Sequence, residues 1–151
     1  MRKSIGIGAS LAAAALLTAC GGADGNTHPC TLMDAPAGIQ VKVHPEPAQR
    51  TADATLTACW GDTCRKRALQ LREITRPEEP AANWPGFATV RDLPGQPVRV
   101  TLVLKNQRGT TLLDRQITVT PKPTYPNGRN CSPAGHQARV TVTEKGSLLP
   151  R

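Results

Sequence analysis

Residues 54–71 read ATLTACWGDTCRKRALQL, two alternating runs that meet at Gly61-Asp62. In the first run Leu56, Ala58 and Trp60 fall on one side of an extended chain, with Thr55, Thr57 and Cys59 on the other. In the second, Leu69 and Leu71 share a side, and Cys64, Lys66 and Gln70 take the opposite one. A two-residue Gly-Asp turn sets Trp60 against Thr63, so Cys59 faces Cys64 where antiparallel backbones approach most closely. The stretch therefore predicts a β-hairpin with a disulfide across its polar face. Closing so short a loop is worth about 2 kcal/mol on the chain-entropy account.

The same alternation recurs outward from the hairpin. In residues 38–44, Ile39, Val41 and Val43 oppose Gln40, Lys42 and His44; in 97–105, Val98, Val100, Leu102 and Leu104 oppose Arg99, Thr101 and Lys105. Residues 137–143 set Ala138, Val140 and Val142 against Arg139 and Thr141. Turn chemistry separates these runs, as in NQRG (106–109) and PNG (126–128), and no amphipathic helical run of ten or more residues follows the N-terminal segment. Short strands, each with one dry and one wet face, predict an all-β antiparallel β-sandwich. Residues 112–119 fit less simply: Arg115 shares a face with Leu113, Ile117 and Val119, which predicts a bulge or a sheet edge. The Pro-rich stretch 76–86, RPEEPAANWPG, reads as a long loop.

The chain opens with Arg2 and Lys3 and an uncharged apolar run, residues 5–17, too short to settle as a transmembrane helix. This is the pattern of a signal helix. It ends in Leu17-Thr18-Ala19-Cys20, which resembles the lipobox of bacterial lipoproteins. The resemblance implies that the Cys20 thiol becomes a thioether carrying diacylglycerol, and that small Thr18 and Ala19 admit the signal peptidase. The expected organisation is a signal peptide over 1–19, a lipidated flexible tether over 20–29 and a β-sandwich domain over 30–151. The two acyl chains on Cys20 would hold the protein stably on the extracytoplasmic face of a membrane, where a single chain would not. Gly21 stands where an Asp retains enteric lipoproteins at the inner membrane, so in a Gram-negative host the outer membrane is expected.

Cleavage before Cys20 leaves 132 of 151 residues, and the loss of Arg2 and Lys3 lowers the net charge from +8 to +6. That length suits one core. Four aromatics (Trp60, Trp84, Phe87, Tyr125) and fourteen prolines make a thin core, for which covalent ties compensate. With Cys20 lipidated and Cys59 facing Cys64, Cys30 pairs with Cys131 by elimination, tying the start of the domain to its last loop for about 4 to 5 kcal/mol.

Residues 54–60 also resemble the second strand of fibronectin type III and related immunoglobulin-like domains, which ends in an inward Trp. FATVRDLPG (87–95), the strand from Val98 and then Gly109 are similar to that family's strand, Leu-Pro-Gly corner, long strand and hairpin. The resemblance implies an immunoglobulin-like, fibronectin type III-like sandwich. The family's corner tyrosine is missing, with Val98 near its place, and Gly61-Asp62 is shorter than its loop between sheets. The arrangement is also similar to small actinobacterial lipoproteins, a likeness that supplies no activity.

Catalytic patterns find little support. Cys-x4-Cys is not the Cys-x-x-Cys of a redox site, and His28, Cys30, Cys131 and His136 match no zinc spacing, so no metal or other cofactor is expected. Ser132 and His136 in CSPAGH have no third orienting group, and Glu78-Glu79 are adjacent rather than across a cleft. Binding suits the sequence better. Arg65, Lys66 and Arg67 follow the staple, and Arg99, Lys105, Arg108, Arg115 and Arg139 extend the charge, either toward an anionic lipid or wall polymer or as a solvated face that keeps sheet edges from aggregating. Trp84 and Tyr125 are candidates for stacking on a sugar or for plugging the sandwich ends. Export and the lack of interleaved aromatics argue against nucleic acid. The expectation is a non-enzymatic, membrane-anchored envelope module that meets an anionic polymer or another envelope protein. The alternative is a carbohydrate- or ion-binding lipoprotein.

Overall fold

In a computed structural model of the chain, the described residues are 29–74 and 84–151. The signal segment 1–19, the lipobox with Cys20, the tether as far as His28, and residues 75–83 with Glu78 and Glu79 lie outside them. The elements are β1 (Gly38–Val43), α1 (Pro45–Gln49), β2 (Asp53–Trp60), β3 (Thr63–Ala68), β4 (Trp84–Thr89), β5 (Val98–Lys105), β6 (Thr111–Val119), β7 (Lys122–Pro123), β8 (His136–Val142) and β9 (Leu148–Pro150). They form two sheets, an all-β sandwich. One has the order β4-β1-β8-β7, with β9 also pairing β8; the other has the order β3-β2-β5-β6.

The alternating residues pack as their spacing requires. Ile39, Val41 and Val43 of β1 and Val140 and Val142 of β8 meet Leu56, Ala58, Val100, Leu102 and Leu104 of the facing sheet, all fully or almost fully buried. Each such Val, Leu or Ile side chain contributes about 1.5–3 kcal/mol by leaving water. Among the described aromatics none is fully buried: Trp60 and Trp84 pack half-buried against the core, and Phe87 is exposed. The core is built of Val, Leu and Ala with one Ile, which is why covalent ties matter.

Two features depart from the antiparallel, fibronectin-like expectation. β1 pairs β8 in parallel, Gly38 opposite Gln137 through Val43 opposite Val142. Alternation fixes which face a residue takes but not the direction of the neighbouring strand. A parallel partner needs a long connection, and here it passes through the whole facing sheet together with β4 and β7 before β8 returns beside β1. Second, β2 and β3 form the predicted hairpin within one sheet, unlike the fibronectin-like pattern, because a two-residue turn cannot span the ~10 Å between packed sheets. Gly61 takes φ 52° at that turn, a value L side chains rarely adopt.

Edges also correct the sequence expectation. The loop expected over 76–86 ends earlier, since Trp84, Pro85 and Gly86 pair with Val43, Lys42 and Val41. β4 is an edge strand, where Pro85 removes no needed ladder donor. Arg115 lies on edge strand β6, as one of the two expected explanations required, and a register shift follows at Leu104/Lys105. Its row across the inner face runs Arg67, Leu56, Leu102, Arg115, so a cation stands at each edge of an apolar centre. Charges at inward positions of edge strands oppose sheet-to-sheet aggregation.

Candidate interaction surfaces

Strand pairing places the staple as the sequence implies. Trp60 opposes Thr63 and Cys59 opposes Cys64, and the two cysteines are disulfide-bonded with Cα atoms 4.1 Å apart. Cys59 also opposes Arg99, so one guanidinium-bearing residue flanks the disulfide on the outer face. Cys30 is bonded to Cys131 with Cα atoms 5.8 Å apart.

The basic residues do not form one face. Strand alternation puts Lys66 outward with Cys64, while Arg65 and Arg67 take the opposite side of β3. Arg67 turns along the sheet edge: its Nε donates to Thr89 O at 3.1 Å on β4 of the other sheet, and its Nη1 to Lys66 O at 2.9 Å. On the outer face of their sheet Lys66, Thr57, Thr101 and Gln116 form one row, and Arg99 and Thr118 stand in the neighbouring row with Cys59 and Cys64. Arg139 belongs to the other sheet, and Arg108 to the β5–β6 turn. The positive charge is spread around the sandwich instead of focused.

The two candidate stacking residues lie apart. Trp84 stands on β4 opposite Val43, half-buried against the core, and its enclosed Nε1 has no hydrogen-bond partner among the described residues. Tyr125 is half-buried in the β7–β8 loop, with the Arg129 guanidinium 5.8 Å from its ring centroid. Phe87, exposed on the outer face of β4, has a packing explanation: a Cβ on Gly38 would come 2.6 Å from its ring, so the ring covers that glycine. Ser132 is exposed, His136 packs beside Gly95, and no hydrogen bond joins them among the described residues. Among the described residues no group of three or more His, Cys, Asp or Glu converges to hold a metal ion.

No family model, curated protein or solved structure matches the chain.

The surface the sequence did not announce is the segment before β1. Leu32 is 102% exposed and Met33 61%. Their backbone is nevertheless fixed: Asn127 Oδ1 accepts from Thr31 Oγ1 and from Met33 N at 3.0 Å, while Asn127 Nδ2 donates to Met33 O at 2.9 Å. Gln137 Nε2 donates to Pro36 O at 2.8 Å, further along the same segment. An apolar pair in TLMD between a Cys and a Pro has no period, so only its composition could have drawn notice.

Elsewhere the surface carries shallow hollows. One of about 430 Å³ lies where β7 and β9 leave the edge of β8 uncovered, lined by Lys122, Arg139 and Arg151 with Thr118, Thr120 and Thr124. Another of about 420 Å³ lies between α1 and the β5–β6 turn, beside Arg50 and Arg108.

Proposed function

We propose that this is a lipoprotein anchored through Cys20 to the extracytoplasmic face of a bacterial membrane, its sandwich serving as a non-enzymatic interaction or structural module of the envelope. The observation that carries the proposal is the cysteine arithmetic. Four of the five cysteines are paired with one another in two disulfides, and the fifth is the cysteine of Leu17-Thr18-Ala19-Cys20. Disulfides mark an oxidising compartment, and the lipobox pattern supplies both the route there and the use of the remaining thiol. Among the described residues no helix is long and apolar enough to cross a membrane, so in this reading lipid does the anchoring.

The immunoglobulin-like character belongs to this proposal as layer architecture, two packed sheets with loops gathered at the ends, and not as strand order. Cations scattered over both sheets and the turns favour attraction to an anionic envelope through the summed field over docking by one flat face. That field fades within a Debye length, about 8 Å at physiological salt, so the lipid must hold the domain within its range.

The test is fractionation of cells expressing the wild-type chain and Cys20→Ala. The wild type is expected in the membrane pellet after a high-salt wash, and the variant in the soluble extracytoplasmic fraction. A variant that still pellets would overturn the anchor.

A further inference from the structure

An exposed leucine is ordinary when its backbone is loose, because the chain spends only part of its time presenting it. Leu32 is different. It is fully exposed, with Met33 largely so, yet the segment is tied by the Cys30–Cys131 disulfide just before it, by Asn127 on both flanks, and by Gln137 at Pro36. Water gains nothing from an apolar pair held in one pose. The arrangement makes sense where the pair has somewhere apolar to go.

We propose that the tip formed by Leu32 and Met33 seats in the interfacial layer of the bilayer that carries Cys20, standing the sandwich with this end toward the membrane. This rests on the anchoring reading above. Leash length selects the occupant. Leu32 follows Cys20 by twelve residues, which reach at most about 40 Å when fully extended. A random coil of that length averages about 20 Å, little more than the radius of so small a domain. Of the described residues those at the start of the segment are therefore leashed closest to the lipid. The partner loop adds matching chemistry: Tyr125 and Arg129 precede and follow Asn127, an aromatic ring and a guanidinium of the kinds that settle at headgroup depth. Asp34, exposed next to Met33, offsets the Arg129 charge, so apolar burial and not charge drives the seating.

Connectivity then orients the molecule. β1 runs away from the tip, and α1 returns the chain into β2, which runs back toward it. The Gly61-Asp62 turn and both disulfides therefore lie at the membrane end, and α1 with the β5–β6 turn at the outward end.

The experiment places a reporter at the tip of the full chain. Leu32→Trp and, as a control on β9, Leu149→Trp are bound to vesicles of phosphatidylcholine and phosphatidylglycerol with brominated acyl chains. The added emission is read against the parent protein, which has Trp60 and Trp84. Leu149 is 48% exposed, so neither change disturbs the core. The emission of Leu32→Trp is expected to shift to the blue and fall about twofold or more on brominated lipid, equally at low and high salt, while that of Leu149→Trp stays unchanged. In chain lacking Cys20 lipidation, Leu32→Ser with Met33→Ser should lower vesicle partitioning about fivefold. Unquenched Leu32→Trp on vesicle-bound protein overturns the proposal, as does a blue shift that depends on protein concentration without lipid, which would mean self-association. The mass of the N-terminal peptide reports acylation separately. Acylated protein with an unquenched tip removes this inference and leaves the anchor; quenching without acylation does the reverse.

Discussion

The two ends of the sandwich are held by different means. At one end lie both disulfides, the Asn127 ties and the segment 29–37, which has no regular structure. At the other lie α1 and the β5–β6 and β8–β9 turns, each closed by its own local hydrogen bonds. His44 caps α1, and Asn106 Oδ1 accepts from the backbone of Arg108 at 3.0 Å and Thr110 at 2.9 Å. Thr143 Oγ1 accepts from Ser147 N at 3.1 Å. Local turns cost little chain entropy to form. The irregular end joins residues about a hundred positions apart, and hydrogen bonds alone do not offset that loop closure. The difference teaches what the Cys30–Cys131 bond does: it holds a contact distant in sequence and poor in apolar burial, whereas Cys59–Cys64 reinforces a hairpin that is already local.

The largest expected effect tests that division. Replacing Cys30 and Cys131 by Ser opens a loop of sequence separation 101 and should cost about 4 to 5 kcal/mol, read as a drop in the denaturant midpoint. Replacing Cys59 and Cys64 by Ser opens a separation of 5 inside a hairpin whose β2 arm is also paired with β5, and should cost about 2 kcal/mol. Equal costs for the two pairs would break the comparison. It would mean that the unfolded chain keeps the two ends of the long loop together without the bond.

Next comes the locally closed end. Asn106→Ala removes two side-chain hydrogen bonds from the β5–β6 turn, where Gly109 holds φ 77°, and should cost about 1 to 2 kcal/mol. The loss should speed hydrogen exchange in the turn and at the ends of β5 and β6, and leave residues 30–37 unaffected. Spread of the effect to the disulfide end would show that the two ends open together.

The same contrast explains what the sequence revealed. The β2–β3 hairpin was legible because face, turn and cysteine spacing agree within eighteen residues, and the staple follows from that register. The second disulfide followed from counting. The parallel pairing of β1 with β8 was not legible, since Val41 and Val140 alternate identically whichever way the strands run. Trp84 was hidden by its neighbours: Pro and Gly signal a loop, yet both are tolerated on an edge strand. The five-residue α1 was too short for a periodic signal, though His44-Pro45 is a fair helix start. Asn127 could not be read at all as a tie to Thr31 and Met33, because a partner some ninety residues away leaves no local trace.

The smallest effect separates two neighbours that the sequence treats alike. Lys66 and Arg67 each carry one positive charge on β3, but alternation sends Lys66 outward and turns Arg67 toward the edge, where it donates at 3.1 Å to Thr89 O of the opposite sheet. Both are exposed, so no large stabilisation is available to either. Arg67→Gln should nevertheless cost about 0.5 to 1 kcal/mol, through the lost bond between sheets, and Lys66→Gln less than about 0.5. Charge is a different matter: each change removes one unit from the field, so binding to anionic vesicles at low salt should weaken equally and the difference from wild type should vanish at high salt. Paired denaturation and vesicle titrations decide this. Equal stability losses would remove the structural role of Arg67. A much greater binding loss for one variant would mean that the cations act as a defined site instead of a diffuse field, and the proposal of scattered attraction would give way to one of a docking face.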